Sequence, residues 1–388
     1  MDLITISDPR TLAETETAIS KICAHPGISL QLSKASFDAR RGAMFDAARL
    51  QMLVTWARHA GDSYLNFRKI NDVSKLLEQL CDYSPGIAAI RLSKGIKVGD
   101  NIVFRRDALI PATEKMRYTD EEAFTKIIKG RCIDMICVSG SSVQFLRPLF
   151  YTRSRDAVKD KFGMQKLMLK LVNEMTKANK HDKQQIPQSL IKACGIFCNE
   201  LFQNTQQHAI SDHQNIPYTA RVEGLFVSWN QIDNQLYASD FEGHDRLRDF
   251  WNRELSTSGN QVIKESLRCL QISFFDSGPG FASRITGQPV IKISLEDERQ
   301  ALIKCLMKNV TTKDEVGAGE GLPNVLSELR NIGGLIRIRS GRHSIFNAFR
   351  PGDNGIDLFD FRDWRNEILG CTAGAVISIL IPLRKNNV

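Results

Sequence analysis

Apolar and polar positions repeat with two different periods along this chain, and the switches between them divide it. Ile4-Thr5-Ile6 and Ile28-Ser29-Leu30-Gln31-Leu32 read as strands, whereas Ala43 to His59 sets Met44, Ala47, Leu50, Leu53, Val54 and Ala57 at helical spacing. A strand at Tyr64-Leu65-Asn66-Phe67 and a helix from Val73 to Cys81 follow, so short strands and helices alternate as in a small α/β domain. Thr119-Asp120-Glu121-Glu122 reads as a capping signal that opens a helix to about Lys129, ahead of an apolar strand from Ile133 to Val138. Residues 156–180 predict a basic amphipathic helix with Val158, Phe162, Leu167, Leu171 and Met175 apolar, suited to bridge domains or support a dimer. A second pattern begins at Ile191 with a helix. It continues through an apolar strand, Leu270 to Phe275, a helix entered at Pro323, an alternating strand, Leu335 to Ser340, and a last strand, Ile377 to Pro382. The pattern predicts an α+β chain in three parts: an α/β regulatory or interaction domain over 1–150, a basic helical linker over 151–190, and a second domain over 191–388.

Composition agrees with that division. The 388 residues exceed a comfortable single core, and 42% hydrophobic with 25% charged residues excludes disorder across the whole length. No window approaches the roughly 18 uninterrupted apolar residues that span a bilayer, and Met1-Asp2-Leu3 does not open a secretory leader, so a cytoplasmic protein away from membranes is expected. Nine scattered cysteines with no CxxC pair read as buried reduced thiols. The net charge of +8 is uneven, and its densest positive stretch runs from Arg153 to Lys183. Basic and aromatic residues do not interleave there, so a solvated helix face is favoured over nucleic-acid binding.

Three segments carry candidate chemistry. Glu200, Asn204 and His208 are spaced four and four apart, which sets carboxylate, amide and imidazole on one helical face. A divalent metal bound through phosphate oxygens accepts an amide oxygen, and a neighbouring carboxylate can orient and deprotonate a water or hydroxyl. In Phe274-Phe275-Asp276-Ser277-Gly278-Pro279-Gly280-Phe281 an acid leaves an apolar strand ahead of two glycines, so a carboxylate can accept from an exocyclic amine while backbone approaches a flat base. Thr311-Thr312-Lys313-Asp314-Glu315-Val316-Gly317-Ala318-Gly319-Glu320-Gly321-Leu322-Pro323-Asn324 then puts three alternating glycines before a helix, the composition of an anion cradle with Lys313 as a mobile charge.

In this order the segments resemble the N, G1 and G2 boxes of the GHKL superfamily, the histidine kinase-like ATPase domains. That superfamily includes the gyrase B subunit, MutL, the ninety-kilodalton heat-shock chaperone, the sensor histidine kinases and the anti-sigma-factor serine kinases. The resemblance covers about 190–385 and implies a Bergerat-type two-layer α/β sandwich binding ATP and Mg²⁺. It implies that Asn204 holds Mg²⁺, that Glu200 is the general base, and that Lys313 stabilises phosphoryl charge. Asp276 would bind the adenine amine, with Gly278 and Gly280 shaping the base pocket and His208 beside the phosphates. Thr312, Gly317, Gly319, Gly321 and Leu322 would belong to the lid. The N-terminal part resembles the STAS fold of anti-sigma antagonists, in spacing only.

The chain departs from the family where Gly374-Ala375 replaces the usual Gly-Thr before the last strand, with Thr372 two residues before Gly374. The 72 residues from Asn204 to Asp276 include an insertion near 233–265, and 343–370 reads as another; both are candidate partner surfaces. His181-Asp182 imitates a phosphoacceptor dipeptide, but it lies 19 residues before Glu200 and is followed by the helix-breaking Ile186-Pro187. The leading expectation is an ATPase that works as a nucleotide-driven conformational switch for an unidentified protein partner bound through the N-terminal domain or the insertions. A serine/threonine kinase of the anti-sigma type and a non-catalytic nucleotide-binding adaptor are the alternatives. GHKL proteins often form homodimers, but no residue here sets such an interface.

Overall fold

The computed structural model describes residues 3–61, 63–139, 149–152, 157–178, 186–257, 265–307, 320–353 and 355–384. They form a mixed α/β molecule with two sheets. In the first, β1 (Leu3–Ile6), β2 (Ser29–Leu32), β3 (Leu65–Phe67) and β4 (Gly95–Val98) run parallel in sequence order, and β5 (Asn101–Phe104) closes one edge antiparallel. Helices α1 (Leu12–Ala24), α2 (Ala43–His59), α3 (Val73–Cys81) and α4 (Ser84–Leu92) alternate with these strands.

The second sheet is antiparallel throughout. It contains β6 (Cys132–Ser139), β7 (Arg221–Asp233), β8 (Ser266–Asp276), β9 (Leu335–Gly341), β10 (His343–Ala348), β11 (Arg362–Asp363) and β12 (Thr372–Pro382), in the order β11-β10-β9-β12-β8-β7-β6. Its edge strand β6 lies in residues 1–150 and pairs with β7 from Cys132↔Ser228 to Ser139↔Arg221. The sheet therefore draws one strand from the part of the chain that the pattern groups with the first domain.

Side chains alternate between two buried faces, as strand geometry requires. Met135, Leu225, Ile272, Ile338 and Ile377 face one way, toward the helices Lys161–Ala178, Gln188–His208 and Gly321–Ile332. Ile136, Phe226, Phe275 and Val376 face the other way and pack with α2 and α4. Toward the far end of that second face, Leu267, Leu335, Phe346 and Leu380 join Met44 and Phe45.

Helix α2 lies between the two sheets. Every residue from Ala43 to Ala57 is buried, although the sequence pattern expects a single apolar face. Its polar side chains are therefore partnered. Tyr83 donates to Asp46 Oδ1 at 2.6 Å, Arg49 donates to Asp8 Oδ1 at 2.9 Å, and Gln51 donates to the Arg339 carbonyl at 3.1 Å. The helix start is held by the second sheet: the Ala43 N–H donates to Ser228 Oγ at 2.8 Å and the Met44 N–H to Gln271 Oε1 at 2.9 Å.

An ion triad joins the same two parts. Arg337 and Arg339 alternate with Ile336 and Ile338 on β9 and point at α1, where both are buried. Arg339 grips Glu16 with two bonds of 2.9 Å, and Arg337 donates to Glu16 Oε1 at 3.3 Å. Burial alone would raise the Glu16 carboxyl; the two guanidinium groups outweigh it and hold the group below its ordinary range.

Some expectations are corrected. Thr119 does not open a helix: it lies near the end of the helix Ala112–Asp120, where its hydroxyl donates to the Lys115 carbonyl at 2.8 Å, and Glu122 adopts φ 52°. The basic helix begins at Lys161 and packs along Gln188–His208; Phe162, expected on its apolar face, is exposed with Lys166 over its ring. Lys170 on this helix and Lys159 just before it pair with Glu122 at 2.8 and 3.2 Å, which suits a solvated face. The two insertions pack on each other. Phe241 stacks on Trp251 at 4.6 Å and meets Trp364 at 5.4 Å, while Arg246 pairs with Asp360 at 3.1 Å, so these side chains are used internally. All nine cysteines are free thiols.

Glu16→Gln removes the charge that offsets two buried arginines and should cost about 3–5 kcal/mol at pH 7, read by urea unfolding. A lowered folded pKa stabilises above the ordinary glutamate value of 4.5 and is lost as pH falls through the folded value. The difference between wild type and variant should therefore shrink in acid.

Candidate functional site

The helix Gln188–His208 carries Glu200, Asn204 and His208 along one side, four residues apart, as the spacing predicts. Glu200 reaches the start of the helix Gly321–Ile332, where the Gly321 N–H donates to both carboxylate oxygens at 3.0 and 3.1 Å. A carboxylate at a helix N-terminus is favourably placed against the positive end of its dipole. Leu322, the next residue, is buried in the apolar cluster between this helix and the sheet.

Asp276 ends β8, paired with Glu223 on one side and Ala375 on the other. The turn that follows is tight because three backbones meet there. The Gly278 N–H donates to Asp276 Oδ1 at 2.8 Å, and the Gly374 N–H donates to the Gly278 carbonyl at 2.7 Å. Gly374 has φ +68°, and a Cβ there would sit 2.0 Å from the Asp276 carbonyl oxygen, so only glycine fits. A Cβ on Gly278 would lie 2.5 Å from the Ala209 Cβ, which brings the turn against the end of the helix that carries His208. Gly280 starts the short helix Phe281–Thr286, and the Phe281 N–H donates to Ser340 Oγ on β9 at 3.1 Å.

Two arginines that the sequence pattern did not single out organise the site. Arg284, on Phe281–Thr286, donates to Asn204 Oδ1 at 3.2 Å. Its charge also reaches Asp276 and His208. Burial pushes the Asp276 carboxyl up to about 6, with the Gly278 N–H and Arg284 opposing that rise. Burial, followed by the charge of Arg284, brings His208 down to about 4, so the imidazole is neutral at pH 7. The sequence signal for Arg284 was a cation four residues beyond Gly280. Arg58, near the end of α2, donates to the Ser277 carbonyl at 2.9 Å and the Ala220 carbonyl at 3.0 Å, and lies 3.8 Å from the Tyr218 ring centroid. Nothing in its local pattern marks it, because its partners are more than 160 residues away.

The structure thus joins Glu200 to Gly321, Asn204 to Arg284, and Asp276 to Gly278, with His208 within reach of the Arg284 charge. Thr312, Lys313, Gly317 and Gly319 lie outside the described residues. Ala375 stands directly across from Asp276 and offers no hydroxyl, while Thr372 faces the first domain, its hydroxyl accepting from Gln51 and Arg339 and donating to the Gly341 carbonyl.

The residues present do not fit a Mg²⁺ ion held by Asn204. The amide oxygen that would ligate it accepts from Arg284 at 3.2 Å. Two unit charges about 4 Å apart repel by about 4 kcal/mol at an effective dielectric of 20, and a divalent ion doubles that, so the guanidinium and a dication compete for that oxygen. Among the described residues, no helix is long and apolar enough to cross a membrane. Compared with protein-family models, with curated proteins and with solved structures, the chain finds no match.

Arg284→Met removes a charge that lowers both the Asp276 and the His208 pKa. Carbon-13 NMR titration should therefore show both values moving upward from about 6 and about 4, with neighbouring carboxylates unmoved.

Proposed function

We propose that this chain binds an adenine nucleotide at the Asp276 turn and acts as a conformational switch of the GHKL type. In this reading the seven-stranded sheet with the helices Gln188–His208 and Gly321–Ile332 is a Bergerat-type sandwich, and the likeness of the first domain to STAS rests on its strand and helix spacing. The observation that carries the proposal is the half-buried Asp276 carboxylate at a strand end, fixed by the Gly278 N–H in a turn where glycine is required by close backbone approach. Such a carboxylate accepts from the exocyclic amine of adenine and meets an opposing acceptor in guanine. Arg58 ties that turn to α2, so a ligand that shifts the Ser277 carbonyl acts directly on the first domain.

Glu200 is the group that would orient an attacking water. In the arrangement described it is engaged by the Gly321 N–H, at the mouth of the helix that follows the glycine-rich segment, so hydrolysis requires that helix start to move. The non-catalytic adaptor reading is favoured by Ala375 opposite Asp276 and by Arg284 on Asn204, both of which depart from the hydrolytic pattern.

Calorimetric titration with ATP tests the proposal. Wild type should bind ATP in preference to GTP, and Asp276→Asn should lose about 10–100-fold in affinity, the range of a hydrogen bond to a charged group. Because the acceptor is the ionised carboxyl, affinity should hold above pH 6 and weaken as pH falls through the Asp276 value of about 6. Free phosphate released by wild type and abolished in Glu200→Ala would select the ATPase over the adaptor, and phosphate transferred to a protein would select the kinase. Equal ATP and GTP affinity, or unchanged binding in Asp276→Asn, would contradict the adenine site.

A further inference from the structure

We propose that Arg284 supplies the positive charge for which this kind of site otherwise needs a divalent cation, so that the chain takes its phosphate-bearing ligand without metal. The inference rests on the nucleotide reading above and deepens it.

Three observations carry it. First, the Arg284 guanidinium is on the amide oxygen of Asn204 at 3.2 Å, the atom that a metal would need. Second, its backbone is held at both ends of a one-and-a-half-turn helix. The Phe281 N–H is tied to Ser340 Oγ at 3.1 Å, the Arg284 N–H bonds the Gly280 carbonyl at 3.2 Å, and Gly287 closes the helix in the left-handed conformation at φ 64°. Ala282 on this helix packs with Ile293 and Ala301, which seats it against the helix Leu295–Met307. The side chain therefore projects from a fixed base toward Gln188–His208. Third, burial lowers the pKa of the guanidinium, and the groups beside it offset part of that cost: the amide oxygen of Asn204 accepts from it, and the carboxylate of Asp276 and the half-buried Cys305 thiol on the neighbouring helix favour its charge, while His208 stays neutral.

A guanidinium is planar, holds its charge at any physiological pH and offers several donors, so it can keep Asn204 and still donate to phosphate oxygens. A hydrated dication would have to displace it. The ligand class is a nucleoside di- or triphosphate, with Arg284 on the phosphates and Asp276 on the base.

The test is ATP affinity of the full chain by calorimetry, in EDTA and in MgCl₂, for wild type, Arg284→Met and Arg284→Lys. Wild type should bind in EDTA within about threefold of its affinity in Mg²⁺. Arg284→Met should lose about tenfold or more in EDTA and recover with Mg²⁺, because Asn204 Oδ1 is then released. Arg284→Lys keeps a cation and should retain metal-free binding, which separates loss of charge from loss of fold. A fall of about a hundredfold on chelation in wild type, or metal-free binding by Arg284→Met equal to wild type, overturns the inference while leaving the nucleotide reading intact. Absence of ATP binding by wild type in both buffers overturns the nucleotide reading and this inference with it.

Discussion

A seven-stranded sheet with apolar side chains on both faces has to be covered twice, and much of this molecule follows from that requirement. Leu225 and Ile272 bury against the helices that carry the candidate site, while Phe226 and Phe275, one position along, bury against α2 and α4. Removing either layer would expose a broad apolar surface, of the kind monomeric proteins avoid. The first domain is therefore part of the packing of the second. The polar contacts across this junction have the same logic. Glu16 with Arg337 and Arg339, and Gln271 with the Met44 N–H, satisfy groups that would be costly to bury alone.

That shared packing would give the proposed site an output. The Asp276 turn lies at the ends of β8 and β12, between Gln188–His208 on one face and α2 on the other. Ala209 touches it from the first side and Arg58 from the second. A change at the turn has a short mechanical route in both directions, through backbone carbonyls held at normal hydrogen-bond distances. The proposed switch needs no long chain of intermediates, because one arginine side chain spans the gap.

The sequence was informative where the physics is local. The bounds of α2 from Ala43 to His59 and of α3 from Val73 to Cys81, the strand ending at Asp276 and the helical face shared by Glu200, Asn204 and His208 all depend on neighbours within a few residues. It was poor where partners are distant. β6 reads as an apolar strand, but its pairing with β7 depends on residues some 90 positions later. The Thr119 signal was overridden because the hydroxyl bonds back to Lys115 inside a helix already under way. Arg58, Arg284 and Arg339 look like ordinary surface cations by composition, and only the fold shows that Arg339 is buried against Glu16 and that Arg284 meets Asn204.

The central claim is that a ligand at the Asp276 turn is felt by the first domain through α2. Hydrogen–deuterium exchange of the full chain, with and without ATP, measures this most directly. Peptides covering residues 276–281 and the end of α2 around Arg58 should change protection together, and Arg58→Ala should uncouple them while the turn still responds. Protection that changes at the turn and leaves α2 unaltered in wild type would contradict the account.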